Sequence, residues 1–333
     1  MRAAYFRGNE VIELTDVPTP QPKDGEVLIR VAANGVCGSD RKILRSGFSF
    51  IPGHEVAGTV VQSGPGCQTP LGMRVAAYIP LYCGTCPLCM QGRENLCRKK
   101  PGLLGWVSNG GYAEYMLVPD RNALRLDDRL SFHDGVILLD TIGTSGHALR
   151  LARCSSAKSA LILGAGPIGI GALVGMKALG VAVIYVAEIS AYRRQKVDEL
   201  GGIAIDPTQE SLDQRIRAQS PYGVDLVFEA VGSPATLWQA LDLVAPGGTI
   251  SLVGEYWGKY ELERPKREWM LNDLTLIRSF YFPIAEFYEN QQLVLDGKLN
   301  AKALVTHTFS LSEIRAAYDR FAAGDTLKIM VTP

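Results

Sequence analysis

The chain has 333 residues, which exceeds one comfortable hydrophobic core and predicts two domains. Its 47% hydrophobic and 20% charged residues are typical of a globular protein, and the 34 basic and 34 acidic residues balance. This balance gives no electrostatic case for nucleic acid or an anionic membrane as a main partner. No apolar run approaches the ~18–20 residues of a membrane span, and the first residues contain no apolar core of a secretory signal. We therefore expect a cytoplasmic, reducing location, where clustered cysteines are more often metal ligands than disulfides.

The first part of the chain is rich in predicted strands. Residues 25–36 and 55–64 are β-branched runs broken by glycine, whereas residues 71–120 are loop-rich and contain four of the seven cysteines. From about Ser159 the pattern changes to an alternation of apolar strands and helices. The predicted strands are 159–166, 181–188, 202–206, 224–232, 247–254 and 274–280, and the predicted helices between them are 167–179, 191–200, 209–219 and 234–244.

Several of these six strands are apolar on both faces, as a parallel sheet covered by helices requires. The pattern therefore predicts an α/β fold with a doubly wound, six-stranded parallel sheet of the Rossmann type. After Phe282 come a helical segment, the segment "SLSEIRAAYDRFAAG" and a closing strand, "TLKIMV", which we expect to return to the first domain. The predicted domains are 1–145 with 283–333, and 146–282.

A glycine-rich turn joins the first strand of the alternating region to the helix that follows. Gly164, Gly166 and Gly169 form a G-x-G-x-x-G motif, and the acidic Glu188 ends the next strand. This arrangement is typical of dinucleotide binding, because the glycines let the backbone approach a pyrophosphate resting on N–H groups at the helix start. The predicted cofactor-binding residues are Gly164, Gly166, Pro167, Ile168, Gly169, Glu188, Arg193, Val231 and Val253.

Glu188 also indicates which cofactor is used. Its carboxylate can accept hydrogen bonds from ribose hydroxyls and repels a 2′-phosphate, so we expect NAD(H) rather than NADP(H). Arg193 and Arg194 favour the opposite choice, because a nearby arginine can accommodate that phosphate. A merely structural glycine turn with a solvated glutamate is the alternative, and the strand–turn–helix context disfavours it.

The segment 82–98 contains a cluster of thiols. Cys83, Cys86, Cys89 and Cys97 have the spacing C-x2-C-x2-C-x7-C, and four thiolates on one short loop can close a tetrahedral shell around Zn²⁺. Such a closed shell has no open position for chemistry, so we interpret the site as structural. An iron–sulfur cluster is the alternative, but its usual last gap is three residues followed by proline, and neither feature is present.

Three further motifs resemble one known family. "GHEVAGTVVQSG" (53–64) is similar to the G-H-E-x-x-G-x-V signature of zinc-containing medium-chain alcohol dehydrogenases. "CGTCPLCMQGRENLC" is similar to the structural-zinc lobe of that family, and "VCGSD" (36–40) to the motif that carries its first catalytic-zinc cysteine. With the nucleotide motif following in the expected order, the resemblance covers nearly the whole chain. It implies that the first domain is a β-rich, GroES-like catalytic domain and that the chain holds two zinc ions.

The resemblance also implies a catalytic zinc with three protein ligands and one exchangeable position. Cys37 and His54 are the first two candidates. The third ligand of the family is a Cys, Glu or Asp near the end of the first domain, and Asp140 is the only such residue in "VILLDTIGTSGHAL" (136–149). Glu55, next to His54, is expected to lie beside the metal or to bind it transiently.

In the mechanism that the resemblance implies, a zinc-bound alkoxide transfers hydride to the nicotinamide ring. Before that transfer, Ser39 passes the proton of the alcohol outward, as the Ser or Thr at this position does in the family. Many members have a histidine three residues later, where this chain has Lys42. Lys42 can relay a proton only with a depressed pKa, so we interpret it as a solvated lysine.

The function that we predict is oxidation of a secondary alcohol (a polyol, cyclitol, sugar or amino alcohol) to a ketone. One alternative is a zinc-independent NADPH quinone or enone reductase on the same fold, and the other is a non-catalytic nucleotide-binding homologue. We expect the substrate pocket to be lined by residues 45–50, 102–110 and 141–144, with Phe48, Phe50 and Trp106 as an apolar wall. The last predicted strand is a sheet edge that must be covered or paired. Members of the family pair this edge across a two-fold axis, so the resemblance implies a homodimer or homotetramer.

Overall fold

The computed structural model describes residues 1–100, 102–255 and 272–333. The chain divides into two compact units, which are residues 1–143 with 281–333 and residues 144–280. The sequence places the same divisions at 145/146 and 282/283. Within the described residues, no helix combines the length and the apolar character needed to cross a bilayer.

The first unit begins with a hairpin and continues into an antiparallel sheet. The strands are β1 (Arg2–Gly8), β2 (Val11–Asp16), β3 (Glu26–Gly35), β4 (Glu55–Ser63), β5 (Arg74–Ala77), β6 (Tyr115–Pro119) and β7 (Ala123–Arg125). The helices are α1 (Asp40–Ser46), α2 (Pro87–Met90) and α3 (Phe132–Leu139). A capping box starts α3, since Ser131 accepts from the backbone N–H of Asp134 and the Asp134 carboxylate accepts from that of Ser131. A π turn, Asp140–Thr144, follows α3 directly.

The second unit alternates strands and helices. The helices are α4 (Ser145–Leu151), α5 (Pro167–Ala178), α6 (Ala191–Glu199), α7 (Leu212–Arg217) and α8 (Pro234–Leu243). The strands are β8 (Ser159–Leu163), β9 (Val183–Ala187), β10 (Ile203–Ile205), β11 (Val224–Glu229), β12 (Val244–Leu252) and β13 (Thr275–Arg278). They form one parallel sheet in the order β10-β9-β8-β11-β12-β13, which is the Rossmann order 3-2-1-4-5-6. The predicted six-stranded, doubly wound sheet is confirmed.

The ends of the predicted elements are less accurate than their order. β12 begins at Val244 rather than at 247, because Val244 already pairs with Val224 before the register between the two strands shifts. The next pair is Leu226 with Thr249, so the extra residues of this irregular stretch are in β12, where Gly247 has a positive φ of 73°. Neither feature changes the alternation of apolar and polar residues, so neither could be predicted from the sequence pattern.

The chain then returns to the first unit. It adds α9 (Ile284–Leu295), β14 (Val305–Ser310), α10 (Ile314–Ala323) and β15 (Lys328–Thr332). The resulting sheet has the order β14-β15-β3-β4-β5-β7, with β6 also paired to β3. Because Met330 pairs with Gly35, the C-terminal strand lies beside the end of β3 that leads to Cys37.

Candidate active site

Four potential metal ligands from three segments of the first unit meet at one point. Cys37 lies between β3 and α1, His54 precedes β4, Glu55 begins β4, and Asp140 begins the π turn. One ligand atom from each of these residues lies within 4.8 Å of those of the other three. The Cys37 sulfur is 3.6 Å from Oδ2 of Asp140. The structure thus brings together the four residues that the sequence selects.

Two glycines allow this close approach. Gly53 has a φ of 98°, and a Cβ there would lie 2.1 Å from Nδ2 of Asn34, so only glycine fits before His54. At Gly35 a Cβ would lie 2.5 Å from Oε2 of Glu55. The absence of both side chains lets β3 and β4 pack tightly enough to present the ligands together.

The cluster brings a thiol, an imidazole and two carboxylates together in a largely buried site. Burial raises the pKa of the Cys37 thiol, and the neighbouring Asp140 carboxylate adds to this effect. Burial also raises the pKa of Glu55 to about 7, even though Lys328 opposes the shift. Oε2 of Glu55 is buried and has no hydrogen-bond partner among the described residues. One thiol, one imidazole and the carboxylates of Glu55 and Asp140 are a donor set that fits zinc.

A buried lysine provides partial compensation. The Lys328 ammonium, on β15, pairs with Oε1 of Glu55, and both side chains are almost completely buried. Burial lowers the pKa of Lys328, but the charge of Glu55 outweighs this and raises it overall. Sequence analysis did not select Lys328, although a single charged residue inside the apolar strand "TLKIMV" was a signal of a buried ion pair.

Asp40 is the second residue that sequence analysis missed. It is completely buried, and its Oδ1 lies 3.3 Å from Nδ1 of His54. Nε2 is therefore the ring nitrogen left for the cluster. Burial alone would raise the pKa of Asp40 and lower that of His54, but their mutual attraction reverses both directions. An acidic residue three positions after Cys37, inside "VCGSD", was the signal available in the sequence.

The two predicted proton-relay residues have different environments. The Ser39 hydroxyl donates to the Cys37 sulfur at 3.3 Å, so it lies at the cluster. Lys42 is exposed on α1.

The four-cysteine segment forms a second cluster. The sulfur separations are 3.5 Å for Cys86–Cys89, 3.9 Å for Cys83–Cys89 and 4.0 Å for Cys86–Cys97. Tetrahedral Zn²⁺ with Zn–S bonds of about 2.3 Å requires sulfur separations of about 3.8 Å. None of the four is in a disulfide. The backbone N–H of Thr85 lowers the pKa of Cys83 to about 5, which favours the thiolate that binds metal.

The glycine turn is at the carboxyl edge of the Rossmann sheet. Gly164 has a φ of 91°, and a Cβ at Gly169 would lie 1.8 Å from the Gly164 oxygen, so both positions need glycine. A Cβ at Gly166 would meet nothing within 4 Å, and α5 begins directly after it with Pro167 and Ile168. Val231 and Val253 follow β11 and β12 at the same edge.

Glu188 is tied to this turn. Its Oε2 accepts from the N–H of Ala165 at 2.8 Å, and its Oε1 accepts from that of Ser190 at 2.8 Å. Arg194 is engaged with the Glu188 carbonyl at 2.9 Å and with Asp206 at 2.8 Å. Arg193 is 4.0 Å from Oε2 of Glu188. Of the two arginines, Arg193 is thus the one near the carboxylate.

Aromatic side chains stand beside the metal-ligand cluster. The Trp106 ring is 5.8 Å from the His54 ring and 6.2 Å from that of Phe48, which in turn is 5.7 Å from Phe50. The predicted apolar wall therefore exists as a group. Asn109 accepts from the N–H of Ile51 at 2.9 Å and thereby holds this loop.

The chain matches two domain families. Residues 23–128 match the alcohol dehydrogenase GroES-like domain, and residues 167–296 match the zinc-binding dehydrogenase domain.

Named relatives span nearly the whole chain. The L-threonine 3-dehydrogenase of Pyrococcus abyssi is 31% identical over 340 residues, covering 96% of this chain and 94% of that protein. The L-galactonate-5-dehydrogenase of Escherichia coli K12 is 32% identical over 311 residues, covering 90% and 89%. The structure of alcohol dehydrogenase TADH from Thermus sp. ATN1 has a TM-score of 0.94 at 29% identity, and the match covers 100% of both chains. The chain therefore belongs to the zinc-containing medium-chain alcohol dehydrogenases, which are oxidoreductases that act on CH–OH groups.

Proposed function

We propose that this chain is a zinc- and NAD-dependent dehydrogenase that oxidises a small secondary alcohol to a ketone. The observation that carries the proposal is the convergence of Cys37, His54, Glu55 and Asp140 within 4.8 Å. A zinc-independent quinone or enone reductase binds no catalytic zinc and therefore does not require these four ligands. When bound, zinc supplies Lewis acidity that makes an alcohol hydroxyl more acidic and polarises the product carbonyl.

The ligand roles follow from the chain's own contacts. Cys37, Nε2 of His54 and Asp140 hold the metal, and Glu55 lies beside it with Lys328 as its counter-ion. The charges of the Cys37 thiolate and the Asp140 carboxylate would together match the double positive charge of zinc.

Ser39 is the group we propose to accept and pass on the alcohol proton. Its hydroxyl is already at the Cys37 sulfur, and a hydroxyl both donates and accepts. From Ser39 the proton leaves through water or a cofactor ribose hydroxyl, and the exposed Lys42 remains a solvated side chain. Phe48, Phe50 and Trp106 form an apolar wall next to His54 that excludes water from the reacting carbon.

The cofactor that we propose is NAD(H). The turn from Gly164 to Gly169 and the start of α5 receive the pyrophosphate, with Val231 and Val253 at the same sheet edge. Glu188 receives the adenosine ribose hydroxyls, because each of its oxygens has lone pairs left beside the single bond it accepts. Since Arg194 is engaged with Asp206, a 2′-phosphate would face Glu188 with only Arg193 near it.

The substrate class that we propose is a secondary alcohol with a polar group on a neighbouring carbon. The relatives support this class, since one acts on L-threonine and another on L-galactonate. Both substrates are hydroxylated, and polyols, cyclitols, sugars and amino alcohols share this chemistry. We also propose a structural zinc at Cys83, Cys86, Cys89 and Cys97, which gives two zinc ions per chain.

A substrate panel combined with metal removal tests the proposal. Purified protein is mixed with NAD or NADP and with sugar alcohols, cyclitols, L-threonine or simple secondary alcohols, and absorbance at the reduced-nicotinamide band is followed. We expect NADH formation with one compound class, its loss after chelation and its recovery with zinc. Chelation-resistant reduction of a quinone or enone with NADPH would instead support the reductase alternative. No turnover with any alcohol would favour a non-catalytic homologue.

A further inference from the structure

We propose that Tyr112 and Tyr318 are positioning residues for the metal centre: together they hold Asp40, and through it His54, so that the residence time of the metal depends on helix α10. This inference rests on the proposed metal site at Cys37, His54 and Asp140. Among the described residues, the side chain of neither tyrosine forms a hydrogen bond or ring contact with a residue of the four-ligand cluster. Both act through the carboxylate between them and His54.

The two hydroxyls converge on one oxygen of Asp40. Oδ2 accepts from Tyr318 at 2.9 Å and from Tyr112 at 3.0 Å, and the two hydroxyls are 2.9 Å apart. The backbone N–H of Cys37 also points to Oδ2, at 3.4 Å. Because Oδ2 is filled, Oδ1 is the oxygen that faces Nδ1 of His54.

The carboxylate needs this support because it has no access to water. Asp40 is 0% exposed, Tyr112 is 0% exposed and Tyr318 is 3% exposed. A buried carboxylate without donors is costly, and it lowers that cost by rotating toward other donors. Such a rotation would release the imidazole from its orientation toward the metal. Partners of this kind behind a metal-binding histidine fix its tautomer and ring direction.

The tyrosines come from distant parts of the chain and share one packing partner. Tyr112 follows the Gly110–Gly111 pair, whereas Tyr318 lies in α10 near the C-terminus. The Phe6 ring contacts both, at 5.8 Å from Tyr112 and 5.2 Å from Tyr318. The aromatic packing fixes both phenols without Asp40. Their hydroxyls are therefore preorganised, and the orientation of the carboxylate follows from theirs.

The two tyrosine hydroxyls are redundant donors to Oδ2 of Asp40. If one is removed, the other still donates to Oδ2, and the Cys37 N–H remains. If both are removed, Oδ2 of Asp40 keeps only the weak contact with the Cys37 N–H among its described donors. We therefore expect Tyr112→Phe and Tyr318→Phe each to speed zinc release from the Cys37 site by about 2–3-fold, and the double variant by about 10-fold or more. A purely structural role would lower thermal stability without this excess in the double variant.

Zinc release to a coloured chelator is the main measurement. The protein contains an internal control, because the four-cysteine cluster is remote from Asp40 in sequence and shares no ligand with it. Cys37→Ser and Cys86→Ser assign the two release phases. The visible spectrum of the Co²⁺-substituted protein provides a second readout, since it reports the ligand geometry directly. Tyr185→Phe is the matched control, because Tyr185 is buried and its hydroxyl donates to Gln219 at 2.8 Å in the other unit.

The inference is supported if the double variant releases the Cys37-site metal at least several-fold faster and shifts the Co²⁺ bands, while the cysteine-cluster phase and Tyr185→Phe stay at the wild-type rate. It is overturned if the double variant keeps the wild-type release rate and spectrum. If the double variant does not fold, unchanged release in both single variants overturns it. A wild-type protein without a metal at the Cys37 site would remove the proposed function and this inference together.

Discussion

Gly166 and Gly169 are in the same turn but have different structural demands. A Cβ at Gly169 would lie 1.8 Å from the Gly164 oxygen, whereas a Cβ at Gly166 meets nothing within 4 Å and its φ is −66°. Gly169→Ala must therefore displace backbone, and we expect it to lower the melting temperature by several degrees. Gly166→Ala should melt like the wild type and bind NADH about tenfold more weakly, because its methyl group occupies the pyrophosphate position.

Thermal unfolding and NADH fluorescence titration separate these two effects, and each variant is the control for the other. Equal melting temperatures for Gly169→Ala and the wild type would contradict the close approach in the structure. Undiminished NADH affinity in Gly166→Ala would contradict the cofactor position.

Lys328 and Glu55 form the most deeply buried ion pair described in the site. Removing one partner of such a pair leaves an uncompensated charge, at a cost of about 3–5 kcal/mol. We expect Lys328→Met to reduce the free energy of unfolding by this amount, measured by urea denaturation at one fixed pH. The double variant Glu55→Gln/Lys328→Met should recover part of the loss. A Lys328→Met variant as stable as the wild type would show that the pair does not carry the charge balance described here.

The candidate metal ligands were predictable from the sequence because they belong to motifs. The residues that hydrogen-bond to these ligands or pair with them were harder to predict. Cys37, His54, Asp140 and the four clustered cysteines have a characteristic chemistry and spacing, and the structure brings each set together. Asp40 lies inside a motif but has no ligand role there. Tyr318 and Lys328 reach the site only because the C-terminal segment returns to β3, which no local pattern encodes.

At the scale of elements, the cysteine lobe lacks a core of its own. Its buried cluster consists of Cys86, Cys89 and Cys97, with Tyr82, Cys83 and Leu88 packed around them. So few apolar groups cannot offset the cost of ordering the loop, and the proposed structural zinc would supply folding free energy when it binds. This accounts for four cysteines in a segment whose helices are a few residues long.

We therefore expect Cys86→Ser to hold one zinc per chain instead of two and to be cleaved rapidly by trypsin after Arg93 or Arg98. Elemental analysis and limited proteolysis provide the readouts. Cys67→Ser is the control, because Cys67 lies outside both clusters and a hydroxyl can keep its bond to the Glu26 carbonyl. Two zinc ions in Cys86→Ser, or a wild-type cleavage rate, would contradict a metal-stabilised lobe.

Strand order was predictable because apolar runs and glycine turns recur along the second unit. Strand ends were not, as β12 shows, because they depend on pairing with β11 and on a register shift between the two strands. The same holds for the π turn at Asp140–Thr144. The extra residue in this turn does not change the spacing of apolar residues in a recognisable way, so the sequence did not predict it. Such turns occur frequently at functional sites.

At the scale of the whole molecule, β13 is an edge strand of the parallel sheet with Leu276 54% exposed. Within the described residues no strand pairs with the outer side of β13, and its exposed leucine favours pairing with a second copy, so we propose a homodimer or homotetramer. Light scattering should give at least twice the 36.1 kDa chain mass, and Leu276→Lys should shift the protein toward 36.1 kDa. Leu179→Lys, at another exposed leucine, should leave the mass unchanged. A monomeric wild type would contradict this assembly.

The chain's two halves meet different demands: the first unit supplies the metal ligands, and the second supplies the nucleotide turn. The most direct test of this division is zinc content and alcohol-dependent NADH formation measured together in the wild type and in Cys37→Ser. We predict two zinc ions per chain and turnover in the wild type, and one zinc ion with no turnover in Cys37→Ser. Two zinc ions and full turnover in Cys37→Ser would contradict the proposed metal centre.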